Sequence, residues 1–274
     1  NIEALGKLKE LQQLNLWGNK IEDIFSLGKL TRLQELQLQG NEIKDIKALK
    51  DLKELDKLII SRNPIEDITP LKNLTNLKII DLPEIKTADL KVLSNLKSLE
   101  KLKIEVNGTM SLTYLANLKQ LKKLSLKVKG TVNLDQLKEL EQLEQFNIRS
   151  TERIEDINLI SNLEQLETLS LSGGVDNIAP VSNLKRLTNF AADRSQIEDI
   201  SPLANLEKLE EVSLEGNYID NITPLSKLNN LNTLNLSENK IKEIKSLNGL
   251  NKLETLDLSS NKIETLPQNL RLES

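Results

Sequence analysis

Cysteine and histidine are both absent from these 274 residues, and the aromatic side chains number one tryptophan, two tyrosines and three phenylalanines. Without a thiol there is no disulfide, no thiolate nucleophile and no thiolate-bound zinc; without an imidazole the commonest general base and metal ligand is missing. A cysteine-free chain suits a reducing cytosol and many bacterial secreted proteins alike, so the compartment stays open at this point. No run of 18 apolar residues exists to cross a membrane as a helix. The opening Asn1-Ile2-Glu3 is neither an initiator methionine nor a signal sequence, and the chain reads as a piece of a longer one. A formal charge of −4, with 28% of residues charged, describes a soluble chain of mixed sign. It is not the polybasic composition of a nucleic-acid binder.

What is abundant is leucine, 57 residues or about a fifth of the chain, and its spacing is regular. Units open at Leu8, Leu30, Leu52, Leu74, Leu96, Leu118, Leu140, Leu163, Leu184, Leu206, Leu228 and Leu250. The step is 22 residues, except for 23 after Leu140 and 21 after Leu163. The unit reads LxxLxxLxLxxNxIxDIxxLxx, most cleanly over 206–227 as LEKLEEVSLEGNYIDNITPLSK. In its LxL portion, as at Leu14 and Leu16 or Leu234 and Leu236, apolar and polar residues alternate, the pattern of a strand with one buried face. The remaining residues must bring the chain back to start the next strand in the same direction, so the strands stack in parallel through right-handed turns.

That return is too short for a long helix. The pairs Thr69-Pro70, Ser201-Pro202 and Thr223-Pro224 read as a cap followed by proline at the first helical position, giving a short, often 3₁₀, turn on the outer side. No unit hides its leucines alone, whereas stacked neighbours bury one continuous column. Asparagine at the eleventh position after the opening leucine (Asn19, Asn41, Asn63, Asn107, Asn217, Asn239, Asn261) is expected to brace backbone groups where the strand ends, since its amide both donates and accepts. Five units carry Ile85, Lys129, Thr151, Gly174 or Ser195 there instead, so the middle of the array should be less regular.

These residues resemble the leucine-rich-repeat superfamily, in the 22-residue class of bacterial internalin-like proteins and a eukaryotic phosphatase-regulator family. The segments DITPLKNLTNL (67–77), DISPLANLEKL (199–209) and NITPLSKLNNL (221–231) are especially similar to the internalin type. The resemblance spans essentially residues 1–274, read as a single repeat domain of α/β class. It implies a right-handed solenoid of about 12 coils, with a parallel β-sheet on the concave face and short 3₁₀ turns on the convex one. It also implies a partner protein bound on that sheet, at a bacterial surface or after secretion. An internalin-like helical cap before Leu8 and a wall-anchor motif are both missing, and Leu266-Pro267-Gln268-Asn269-Leu270 resembles a variant terminal repeat. Leu8, Leu11 and Leu14 should accordingly stand exposed at an open end, to be covered by flanking sequence or a neighbour.

Signatures of chemistry do not occur: no Walker loop, GxGxxG, HExxH or EF-hand loop is present. Gly173-Gly174 reads as compensation for the shortened unit. Carboxylate pairs such as Glu210-Glu211 are ordinary in so charged a chain. The sequons at Asn73, Asn107, Asn221 and Asn235 are expected by chance in an Asn/Thr-rich repeat. No catalytic residue, metal site, cofactor or small-molecule substrate is expected, and the chain reads as a non-enzyme.

The informative positions flank the strand leucines. They form three rows on the concave face: one from Gln13 and Glu35 through Lys57, Ile79, Lys101 and Lys123 to Glu211; a second through Ile59, Asp81 and Lys103; a third from Trp17 through Pro83, Glu105, Lys127 and Arg149 to Asp193 and Glu215. Lys101, Lys103, Lys123, Lys127 and Arg149 make a basic centre, with Asp193, Glu211 and Glu215 acidic further on. At 4.8 Å per strand, the strip is on the order of 1,000 Å², about one partner's share of a standard interface. The expected contact residues are therefore Trp17, Lys57, Ile59, Ile79, Lys101, Lys103, Lys123, Lys127, Arg149, Asp193, Glu211 and Glu215. Phe146 and Phe190 replace core leucines, and Tyr218 falls at the rim. Two other readings stand beside secreted recognition: an intracellular scaffold akin to the phosphatase regulators, and the recognition arm of a larger enzyme.

Overall fold

The computed structural model describes residues 2–264, which places the expected terminal repeat at 266–270 outside the described residues. The chain divides into two compact units, Asn1–Gln142 and Leu143–Ser274.

In the first unit, eight strands form in chain order: β1 (Gln13–Asn15), β2 (Glu35–Gln37), β3 (Lys57–Ile59), β4 (Ile79–Lys86), β5 (Lys101–Asn107), β6 (Met110–Ser111), β7 (Lys123–Lys129) and β8 (Val132–Asn133). Strands β1-β2-β3-β4-β5-β7 lie side by side in that order, all parallel, and β6 pairs with β8 in a separate ladder. The second unit holds β9 (Gln145–Ser150), β10 (Ile154–Glu155), β11 (Thr168–Ser172), β12 (Asn189–Ala191), β13 (Glu211–Ser213), β14 (Thr233–Asn235) and β15 (Thr255–Asp257). Its parallel sheet runs β9-β11-β12-β13-β14-β15. Every return passes through a short 3₁₀ turn, such as Thr69–Asn73 or Thr223–Lys227. This is the right-handed leucine-rich-repeat solenoid that the period of 22 requires.

The repeating leucines are the core. Leu30, Leu52, Leu74, Leu96 and Leu118 in the first unit, and Leu163, Leu184, Leu228 in the second, are fully buried. Each contributes about 1.5–3 kcal/mol relative to remaining in water. Phe146 and Phe190 occupy leucine positions and are equally hidden. At the first coil, Leu8 is 50% exposed, and Leu11 and Leu14 are only half-buried.

Asparagines 41 and 63, and likewise 217, 239 and 261, brace the coils as expected. The Asn63 amide donates to Ile60 O in its own coil (3.0 Å) and to Leu38 O in the coil before (2.9 Å), while its Oδ1 accepts from Ile43 N (3.1 Å). Asn107 departs from this. It is exposed, and its amide donates to Glu84 Oε1 at 3.0 Å. The reason lies in its strand: Leu102, Ile104 and Val106 continue the alternation, as do Leu124, Leu126 and Val128 next door, so β5 and β7 run straight for seven residues without the inward bend that an asparagine braces.

Two further expectations are corrected. The Thr or Ser before proline is not the cap of the 3₁₀ turn. An Asp or Asn two residues earlier is the acceptor: Asp67 Oδ1 takes Thr69 N (2.8 Å), Asp199 takes Ser201 N (2.8 Å) and Asn221 takes Thr223 N (3.0 Å). The short Asp or Asn side chain lies close enough to close an Asx turn onto that N–H, while proline, lacking one, occupies the next position. Pro83 does not stand in the third row. The register slips between Asp81 and Glu84, so Glu84 faces Glu105, and Pro83 is buried. Proline cannot donate to a ladder, and the strand accommodates it in a bulge.

Gly173 and Gly174 answer to close approach. Both have positive φ, +92° and +64°, and an added Cβ would come within 2.0 Å of Ser150 O and 2.3 Å of Glu152 O respectively.

Candidate functional site

Alternation turns every second strand residue away from the core, and the pairing register fixes which of these become neighbours. In the first unit the first row is Gln13, Glu35, Lys57, Ile79, Lys101, Lys123, each the Cα partner of the next. The second row carries Gln37, Ile59, Asp81, Lys103 and Ser125 in the same way. The anticipated residues Lys57, Ile59, Ile79, Lys101, Lys103, Lys123 and Lys127 therefore share one sheet face.

The lysines of that face are not equivalent. Lys57 pairs with Glu35 at 3.0 Å, Lys103 with Asp81 at 3.3 Å and Lys127 with Glu105 at 2.8 Å. Lys129 reaches both Glu84 and Glu105, and Asn107 completes this network on Glu84. The Lys129 ammonium bonded to Glu84 holds that carboxyl below the ordinary glutamate range, and Glu84 in turn raises Lys129. Asp81 has one oxygen on Lys103, while its buried Oδ1 has no partner among the described residues. The side chains of Lys101 and Lys123, adjacent in the first row and both exposed, make no ion pair or hydrogen bond among the described residues.

Beside them the face turns apolar. Ile79 is the register partner of Lys101, and Ile59 sits diagonally across from it on β3; both are half-buried. A groove of about 550 Å³ opens further along these strands, between Arg62, Asp81, Glu84, Lys103, Glu105 and Lys127. Trp17, 62% exposed, stands near the beginning of the unit, over Gly40 of the next coil: a Cβ built there would lie 3.6 Å from the indole nitrogen.

In the second unit, Arg149 is exposed at the end of β9, opposite Ser172. Asp193 is tied to the coil that follows it, accepting from Ser213 Oγ (2.7 Å) and Glu215 N (2.9 Å). Glu215 pairs with Arg194 at 2.9 Å, and the Glu215 carboxylate raises the guanidinium pKa. Glu211 is exposed on the first row between Asn189 and Thr233. The small side chains Ser170, Ala191 and Ser213 floor a shallow trough of about 540 Å³. Tyr218 lies at the rim under Lys240, whose ammonium is 4.3 Å from the ring centre.

Among the described residues no group of three or more acidic side chains is placed to hold a metal ion, and no helix is long and apolar enough to cross a membrane. The residues that sequence reasoning missed are the acidic partners Asp81, Glu84 and Glu105. Reading charge along rows counts cations without asking what sits one strand away; Asp81 and Glu105 were visible in those rows, whereas Glu84 was hidden by the bulge.

Residues 9–51 and 31–73 match a family model described as Leucine Rich repeats (2 copies), and residues 207–263 match one described as Leucine rich repeat. No curated protein sequence matches. Among solved structures, an internalin, InlF, from Listeria monocytogenes is 32% identical with a TM-score of 0.86, over 97% of this chain and 80% of its own. A leucine-rich-repeat protein from Leptospira interrogans is 28% identical with a TM-score of 0.84, over 97% of this chain and 71% of its own. The functional domain of InlJ from Listeria monocytogenes, at 20% identity and a TM-score of 0.63 over 94% of this chain and 65% of its own, shares the fold. That domain includes a cysteine ladder; the present chain has no cysteine to build one.

Proposed function

From the premise that this chain belongs to the leucine-rich-repeat family, in its internalin-like class, we propose that it is the recognition domain of a bacterial secreted or surface protein. Residues 1–274 work as a single repeat domain that binds a protein of a host or neighbouring cell. The family and fold are those of binding modules, typically without catalysis. The observation that carries the reading is the contrast between the two sides of the strands from β2 to β14: one side is packed with apolar side chains to burial, and the other is a register-aligned field of mostly polar and charged side chains reached by water. A wide, shallow, mixed-charge strip suits a protein surface better than a small molecule, which needs a concave and largely apolar pocket.

The experiment is capture from extracts of cell-surface proteins on immobilised chain, identification of the captured protein, and titration of that protein in purified form. Two variants carry glutamate on the sheet faces, Lys101→Glu with Lys123→Glu in the first unit and Thr168→Glu with Asn189→Glu in the second. A third carries Lys72→Glu with Lys185→Glu on the return turns. Loss of binding in a sheet variant, with the turn variant unchanged, supports the reading. Loss in the turn variant alone overturns it.

A further inference from the structure

Resting on that reading, we infer that the first unit holds a docking site for an acidic protein segment, built from the unpaired cations Lys101 and Lys123 and the apolar step of Ile59 and Ile79. The inference comes from the way charge is distributed on the face. Lys57, Lys103, Lys127 and Lys129 each have a carboxylate within 3.5 Å. Carboxylate partners are thus common on these strands; among the described residues Lys86, at the end of β4, lacks one too, but Lys101 and Lys123 are the two partnerless cations that are direct neighbours. Lys101 and Lys123 are Cα partners across β5 and β7, so their backbones lie about 4.8 Å apart. Like charges held side by side repel one another, and a ligand carrying negative charge relieves that repulsion.

Geometry narrows the ligand. Two cations at one-strand spacing match two carboxylates about 5–6 Å apart, the distance between side chains at positions i and i+3 or i+4 of a helix. Ile79, partner of Lys101, and Ile59 beyond it offer half-buried apolar surface on the side away from Lys123. A segment with two acids followed by a leucine, isoleucine or aromatic residue covers all four side chains at once. The apolar step separates a protein from a purely anionic polymer: a polysaccharide or nucleic-acid backbone would meet the lysines and leave the isoleucines uncovered.

The test uses a random peptide library selected on the full immobilised chain, with short heparin fragments as the polymer probe. Peptides rich in Asp and Glu with an adjacent large apolar residue are expected. They should bind about tenfold or more weakly to the Lys101→Glu, Lys123→Glu variant, weaken with Ile59→Ser and Ile79→Ser, and bind unchanged to a turn control with Lys72→Glu and Lys97→Glu. Recovery of acid-free peptides, or acidic peptides lost equally on the turn control, overturns the inference. Heparin binding that depends on Lys101 and Lys123, with no peptide doing so, also overturns it and makes the ligand an anionic polymer. Peptides that depend on other sheet residues refute this site while leaving the proposed function standing. Binding that depends on no sheet residue removes both.

Discussion

The side-chain amide of Asn239 donates to the backbone carbonyl of Leu214, 25 residues earlier in the chain, at 2.8 Å. The same nitrogen serves Leu236 O (3.1 Å) and Ser237 O (3.0 Å) in its own coil, and Oδ1 accepts from Ile219 N at 3.0 Å. One buried amide thus satisfies backbone groups of two successive coils. Truncating it to alanine leaves those groups buried without partners, which costs about 1–3 kcal/mol. Asn107→Ala, at the matching position of its repeat, removes only an exposed contact with Glu84 and should cost under about 0.5 kcal/mol. Urea midpoints of the two variants, measured side by side, check the difference; equal midpoints would contradict the bracing role.

That contrast shows what the sequence could convey. The period of 22, the alternation at Leu234 and Leu236 and the positions of Lys101 and Lys123 all follow from backbone geometry that repeats, so a residue's place in the motif fixes its face. What failed to follow were relations among side chains. Pro83 shifts the register by one residue, which brings Glu84 to face Glu105 and within reach of Lys129. Two lysines on the anticipated basic face, Lys103 and Lys127, spend their charge on Asp81 and Glu105. A proline inside an apolar alternating run was the available signal for the first. Scanning acids one repeat upstream of each lysine would have exposed the second, since Glu35 and Lys57, Asp81 and Lys103, and Glu105 and Lys127 are all 22 apart.

Backbone strain gives another prediction. The residue two positions before the bracing asparagine's successor turns through the left-handed region in several coils: Gly216 at φ +66° and Glu238 at φ +56° hold equivalent places, one before Asn217 and one before Asn239. A side chain with a Cβ costs about 1–2 kcal/mol there, offset in part by the greater freedom of glycine in the unfolded chain. Glu238→Gly is expected to stabilise the second unit, raising its thermal midpoint, by up to about 1 kcal/mol. A fall in that midpoint would mean that the glutamate side chain itself contributes more than the turn loses.

Trp17 offers a spectroscopic handle because it is the only tryptophan and 62% exposed. Its emission should be that of a water-exposed indole and should be quenched readily by iodide. Trp17→Ala should change stability by about 0.5 kcal/mol or less, as for surface positions generally. If the ligand reaches the first coils, binding will shift the emission to the blue and shield it from iodide; if it seats only around Lys101 and Lys123, the spectrum will not move.

Acid sensitivity follows from the Glu84 network. Its carboxyl is held below the ordinary range first by the hydrogen bond from Lys129, aided by the Coulomb attraction of the same ammonium and by Asn107. A carboxyl lowered in the folded state binds protons more readily when unfolded, so its contribution to stability is fully present above the unfolded value and disappears as pH falls through the folded one. The loss should therefore begin near pH 4 and deepen below it. Glu139, lowered by its bond from Lys119, adds to the same limb. Glu84→Gln keeps a hydrogen-bond acceptor for Lys129 but has no proton to take up. Its melting temperature should start slightly below that of the parent at neutral pH and converge with it in acid, where the parent's own Glu84 is protonated. High salt should shrink the neutral-pH gap, because the groups are partly exposed and the Coulomb share of the interaction is screened. Parallel pH profiles for the two proteins would show that Glu84 titrates alike in both states and that the network contributes nothing to the acid limb.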